Sequence, residues 1–210
     1  MRKGAIAGIV AFLIATFGSS YVLFHRTEAL GEIMHDANRM ASDDDADGYA
    51  LREEADEFAV AHPGFMTAVA LSEASSCMIS FGVFHLAVVL VAGGLGEQWR
   101  GWRDYAVRAS EAGVVPALGA VVTTAARLSS ERFFTIFSPL YYMPVHGLTP
   151  GAAMLARSEL FSMCYLFLAA GACSKGFALG KWEGRAAVLA IWVVLGVSAS
   201  LIGVPFRFLL

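Results

Sequence analysis

The chain has 210 residues, 57% of them hydrophobic and only 16% charged, with a formal net charge of −3 and a mean hydropathy of +0.61. A typical soluble domain carries about a quarter charged residues. The composition therefore excludes a water-soluble domain, and without a basic excess it gives no footing for a nucleic-acid partner.

The expected class is all-α: a polytopic membrane helix bundle of about five transmembrane helices, with the lipid bilayer and other membrane proteins as partners. A spanning helix needs roughly 20 mostly apolar residues, because the hydrocarbon core is about 30 Å thick. The first such stretch is "GAIAGIVAFLIATFGSSYVLF", from Gly4 to Phe24, preceded by Arg2 and Lys3. Its apolar run exceeds the 7–15 residues usual in a signal peptide and no small-x-small cleavage site follows, so residues 1–24 are expected to be an uncleaved anchor. Gly4 and Gly8 make a G-x-x-x-G match, and small residues continue at Ala11, Ala15 and Gly18, the pattern of a helix-packing face.

Residues 25–63 are acidic. Eleven acids face three bases between His25 and Pro63, a net of −8, so this segment is expected to be a solvated extracytoplasmic helical hairpin. Within it, Asp43, Asp45, Asp47, Gly48 and Glu54 occupy the first, third, fifth, sixth and twelfth places of an EF-hand loop. Tyr49, at the seventh place, would offer its carbonyl. Ca2+ is thus the one cofactor the sequence suggests. Against it stand Ala50 where a branched apolar residue is usual, a poor preceding helix, and the lack of a second, pairing loop. The plainer reading is an acidic tip kept in water by like-charge repulsion.

The remaining 64–210 is read as a four-helix membrane region. Its first span runs from about Phe65 to Ala92. Glu73 lies in it, followed by Ser76, Cys77 and Ser80 at helical spacing. An ionisable group within a membrane is a functional candidate; the plainer reading puts Glu73 at the outer boundary, in water. His85 lies deeper and on a different face, about 120° away at 100° per residue. A lone intramembrane histidine more often bonds a neighbouring helix than a metal. His25, His35 and His62 show no metal-like spacing, and "GGLG" lacks the Lys-Ser/Thr ending of a phosphate loop.

The third span, Glu111 to Leu128, carries Pro116, which is tolerated where neighbouring helices satisfy the freed backbone groups. The segment "SPLYYMPVHGLTP" holds three prolines and cannot be one continuous helix. The fourth span runs from about Leu160 to Ala172 with a lead-in from Thr149 and Pro150, and the fifth from Ala186 to Val204. The three cysteines, Cys77, Cys164 and Cys173, lie in or beside apolar runs and suggest neither disulfide nor zinc.

Basic residues in short loops stay cytoplasmic. With the amino terminus inside, Arg2, Lys3, Arg100, Arg103, Arg108, Lys175, Lys181 and Arg185 all face the cytoplasm and the acidic segment faces out. Five spans then leave the carboxyl terminus outside, and a bacterial inner membrane is the expected location. Trp99, Trp102 and Tyr105 fit an aromatic belt on the inner face. Phe133, Phe134, Phe137, Tyr141 and Tyr142 fit one on the outer face.

The order of features after His85 carries a resemblance. "VVLVAGGLGEQWRGWRDYAVRASEAGVVPALGAVV" gives a glycine pair, a polar connector, an aromatic before a helix and a span with an internal proline. An outer loop, a fourth span, the connector "GFALGKWEGRAAV" and a fifth span follow. From about Gly64 to the end, the chain resembles the prokaryotic branch of the Yip domain family of Ypt/Rab-interacting membrane proteins. The resemblance implies a five-helix bundle with a cytoplasmic amino terminus and no enzyme chemistry. Eukaryotic members bind small GTPases through a long amino-terminal region. Here only Met1 to Lys3 precede the first span, so the membrane bundle is the feature carried over.

No nucleophile–base–orienter set and no paired acids appear in the spans. The expected function is therefore non-enzymatic: an accessory or assembly subunit of a membrane complex. Two alternatives stand beside it: a small transporter or channel-like protein with a polar path at Glu73, and an extracytoplasmic calcium-binding element on residues 43–54.

Overall fold

A computed structural model describes residues 3–26, 63–95, 101–132, 134–142, 155 and 158–201. All its regular elements are helical. They are α1 (Lys3–His25), α2 (Pro63–Leu95), α3 (Trp102–Glu111), α4 (Val114–Ser130), a 3₁₀ turn (Pro139–Tyr142), α5 (Leu160–Gly176) and α6 (Lys181–Leu201). Three helical stretches are long and apolar enough to cross a membrane: Lys3–His25, Gly64–Leu95 and Trp102–Ser130. α5 is apolar but shorter. Large apolar side chains, among them Ile14, Ile79, Leu118, Phe167 and Val194, point outward from five of the helices. A surface of this kind belongs in lipid, and the chain is a membrane protein on these grounds.

α2 begins at Pro63, whose missing N–H costs nothing in a first turn. Its 33 residues rise about 50 Å at 1.5 Å each, well beyond one hydrocarbon thickness. The step between α3 and α4 follows from Pro116. The Ala112 carbonyl cannot receive an N–H from position 116, and accepts instead from Val115 N at 2.9 Å. Gly113 N likewise donates to Ser110 O at 3.0 Å, so a short 3₁₀ step joins the helices before Ala117 N donates to Gly113 O at 3.2 Å. The sequence places this span at 111–128; the structure starts α4 at Val114 and adds a helical run from Trp102 ahead of it.

Named contacts fix the directions of the helices. α1 and α2 run antiparallel: Leu23 packs with Met66, Phe12 with Cys77, and Thr67 Oγ1 lies 3.2 Å from His25 Nε2. α1 and α4 run parallel, with Gly8 beside Gly113, Phe12 beside Ala117 and Leu128 against the Leu23–Met66 pair. α5 returns so that Gly176 meets Gly101 at the start of α3. A tight turn through Ala178, in the left-handed region at φ 53°, then leads into α6. There Glu183 Oε2 accepts from Gly180 N at 2.8 Å, the reciprocal half of a capping box.

The main core joins α2, α3, α5 and α6 through Phe84, Val88, Tyr105, Tyr165, Ala169, Phe177, Val188 and Trp192. The buried edge of α2 runs Met66, Ala70, Ala74, Cys77, Ser80, Phe84, Val88 and Ala92, a helical stripe of three- and four-residue steps. α1 buries Gly8 against the Ser110 carbonyl, the closest approach among the three glycines of that helix. Gly18, expected on the same packing face, has no neighbour within 4 Å and faces outward.

A buried histidine–tyrosine network

α2 carries His85 into the centre of the main core, where it meets α3 and α5. Nδ1 lies 2.5 Å from the Tyr105 hydroxyl and Nε2 lies 2.7 Å from the Tyr165 hydroxyl. Tyr165 also donates to the Ala109 carbonyl at 3.4 Å. One arrangement of protons satisfies every group. A carbonyl can only accept, so the Tyr165 proton goes to Ala109. The Tyr165 oxygen then accepts from Nε2–H, and Nδ1 accepts from Tyr105. This chain ties three helices together with no charge.

Its surroundings are aromatic. Phe81 meets the imidazole edge-on at 4.4 Å and Phe84 does so at 5.1 Å between ring centroids. Phe177 lies 5.8 Å from Tyr105, and the buried thiol of Cys173 belongs to the same cluster. Both imidazole nitrogens are occupied by tyrosines, so a metal would have to displace one of them. Among the described residues, no group of three His, Cys, Asp or Glu side chains gathers as a metal site.

A second polar contact lies near the far end of α4. Arg127 Nη2 is 3.7 Å from Glu159 Oε1, with both residues buried. Glu159 caps α5 in an extended conformation. It thereby fixes the start of α5 to the last turn of α4.

The sequence-derived candidates distribute as follows. Cys77 and Ser80 are buried on the inner edge of α2, while Glu73 and Ser76 flank that edge half-buried. His85 belongs to the network above. Trp102 is exposed, with the Arg103 guanidinium 5.5 Å over its ring. Tyr142 is exposed, Tyr141 half-buried, and their rings meet at 5.1 Å. Asp43, Asp45, Asp47, Tyr49, Glu54 and Trp99 lie outside the described residues.

Tyr105 differs from its expected place in the inner aromatic belt. It is 1% exposed, because α3 turns Tyr105 and Ala109 inward at four-residue spacing while Trp102 and Arg103 face out. Phe134, expected in the outer belt, is also buried. Tyr165 and the Arg127–Glu159 pair carry no local signal. Tyrosine in "MCYLF" and arginine in "TTAARLSS" acquire their roles only from residues on other helices.

No family model, curated protein sequence or solved structure matches this chain.

Removing one hydroxyl tests the network. Tyr165→Phe leaves Nε2–H and the Ala109 carbonyl without a partner and is expected to destabilise the bundle by about 1–3 kcal/mol, the cost of stranding buried polar groups. Tyr105→Phe strands only Nδ1 and should cost less. Thermal unfolding of the two variants and of the double variant in detergent checks this. Strictly additive losses would show that the three groups do not act as one chain.

Proposed function

We propose that this chain is a five-span integral membrane protein of the bacterial inner membrane that works without catalysis, as an accessory or assembly subunit of a larger membrane complex. In this reading α5 and α6 add the fourth and fifth crossings, and the bundle is Yip-like over residues 64–210. The observation that carries it is the closure of the central polar network. Both nitrogens of His85 are taken by Tyr105 and Tyr165, so this imidazole serves to lock helices together. What remains for function is the apolar outer surface and the polar ends.

An amino terminus in the cytoplasm is supported by the clustering of basic side chains. Arg103 at the start of α3, Lys175 at the end of α5, and Lys181 and Arg185 at the start of α6 are all exposed. They surround the point where Gly101 meets Gly176. Arg103 and Arg185 lie over Trp102 and Trp182 at 5.5 and 5.0 Å, as interfacial arginines and tryptophans do. A continuous transport path from Glu73 has less support, because apolar clusters around Phe12 and around Leu23 lie at either end of its stretch of helix.

Purification at native expression level in a mild detergent tests the reading. The expected result is a complex of reproducible composition and fixed stoichiometry. A chain recovered only as a lone monomer would overturn it.

A further inference from the structure

Where α3 and α6 begin and α5 stops, three helix ends are held against one another at their backbones. A Cβ built on Gly101 would overlap the Gly176 carbonyl oxygen. One built on Gly184 would overlap Ser174 Oγ and come within 3.0 Å of Ser174 N. Ser174 Oγ in turn donates to the Gly180 carbonyl at 3.4 Å. Basic residues adjoin each of these contacts. Arg103 is two residues after Gly101, Lys175 lies between Ser174 and Gly176, Lys181 follows Gly180 and Arg185 follows Gly184. All four are exposed. The fold thus gathers onto one surface cations that the chain holds far apart.

This end of the bundle carries an excess of positive charge. Six basic side chains, on Lys3, Arg103, Arg108, Lys175, Lys181 and Arg185, stand against three carboxylates, on Asp104, Glu111 and Glu183, a net of 6 − 3 = +3 among the described residues. No ion pair joins any of the six to any of the three. Glu183 is turned to the Gly180 N–H instead, at 2.8 Å.

The surface is also continuous with the face that meets lipid. Trp182, Arg185, Leu189 and Val193 follow at steps of three and four, so they share one face of α6, and all are exposed. Along that face an apolar stripe passes into a guanidinium and then an indole, with the Arg185 guanidinium 5.0 Å from the centre of the Trp182 ring. Arg103 and Trp102 repeat the pairing on α3. Indoles rest at the level of lipid headgroups, and arginine lays its stem on apolar surface while its charged tip reaches the phosphates.

We infer that this surface binds anionic phospholipid. The headgroup is met by Lys175, Lys181 and Arg185, with Arg103 at its border, and an acyl chain lies along Leu189 and Val193 of α6. A free phosphate ion would meet the cations and leave the indoles and the apolar stripe unused. A zwitterionic lipid would use the stripe and leave the positive excess uncompensated. By spanning residues of α3, α5 and α6, the lipid would hold the three helix ends together. The inference depends neither on the accessory-subunit reading nor on the compartment this end faces.

The test uses the full chain in mixed micelles, titrated with phosphatidylglycerol or with phosphatidylcholine of the same acyl chains. Thermal unfolding and lipid retention in native mass spectrometry are the readouts. Phosphatidylglycerol should raise the midpoint saturably above phosphatidylcholine, and the difference should shrink as NaCl is raised. Lys175→Gln and Arg185→Gln should each increase the phosphatidylglycerol needed for half the response about fivefold, the factor one basic side chain carries at an anionic surface. The variant with Arg103, Lys175, Lys181 and Arg185 all changed to glutamine should lose the preference while keeping its midpoint in phosphatidylcholine. Arg132→Gln, which removes an exposed arginine over Tyr141 beyond the far end of α4, should leave the response intact. Equal midpoints and equal retention for the two lipids overturn the proposal. So does an equal shift with glycerol phosphate, which would make the ligand a soluble anion. A loss with Arg132→Gln as large as that with Arg185→Gln also overturns it, since the effect would then follow total charge rather than this surface.

Discussion

Gly8→Val is expected to detach α1 from the α3–α4 step and to lower the stability of the bundle by about 3 kcal/mol, the upper part of the range for overpacking. A Cβ built on Gly8 overlaps the Ser110 carbonyl oxygen and comes within 3.0 Å of its carbon and 3.4 Å of the Glu111 Cα. All of these are backbone atoms of a helix end, so no rotamer change gives way. Nor can the obstructing segment retreat easily, because Ser110 O accepts from Gly113 N and Gly113 is itself close to α1, where a Cβ built on it would come within 3.0 Å of the Gly8 carbonyl oxygen. In lipid the association of helices rests on such close approaches, since burial of apolar surface offers no gain over contact with acyl chains. Gly18→Val provides the matched control: the same substitution on the same helix, at a position with open space around it, should leave the midpoint unchanged. Reversible unfolding in mixed micelles measures both. Equal losses at the two glycines would trace the effect to the change in residue rather than to the contact.

The second large effect is expected at the Arg127–Glu159 pair. The side chains are only 11% and 7% exposed, and taking either charge away leaves the other buried. Glu159→Gln or Arg127→Gln alone should therefore cost about 3–5 kcal/mol, whereas the double replacement Arg127→Met/Glu159→Leu should cost far less, because removing both charges also removes their desolvation penalty. The predicted signature is a strongly non-additive cycle. Since the pair joins the last turn of α4 to the start of α5, the single variants should also loosen that end of α5. The native thiol of Cys164, exposed on the second turn of α5, reports this as faster alkylation. A double variant as unstable as the sum of the singles would show that the two charges act separately.

Much of the fold is legible in the sequence because the cost of placing a segment in hydrocarbon adds up residue by residue along the chain. Lys3–His25 and Pro63–Leu95 emerge within a few residues of where hydropathy puts them, and the break before Val114 follows from the missing N–H of Pro116. That the chain is an all-helical membrane protein is determined at this level.

The tertiary structure alone decided which residues meet. Tyr105 and Tyr165 lie 20 and 80 residues from His85, and a tyrosine flanked by arginines reads as interfacial until its helix is turned against a neighbour. The reason is the solvent. In water, a helix declares its inner face by being apolar on that side only. In lipid, both faces are apolar, so Ile14 on the outside of α1 and Phe12 on the inside are indistinguishable by type. The buried face is then set by shape, through Gly8 and the small residues of α2, and by polar groups whose partners lie on other helices. Neither leaves a periodic trace in a single chain.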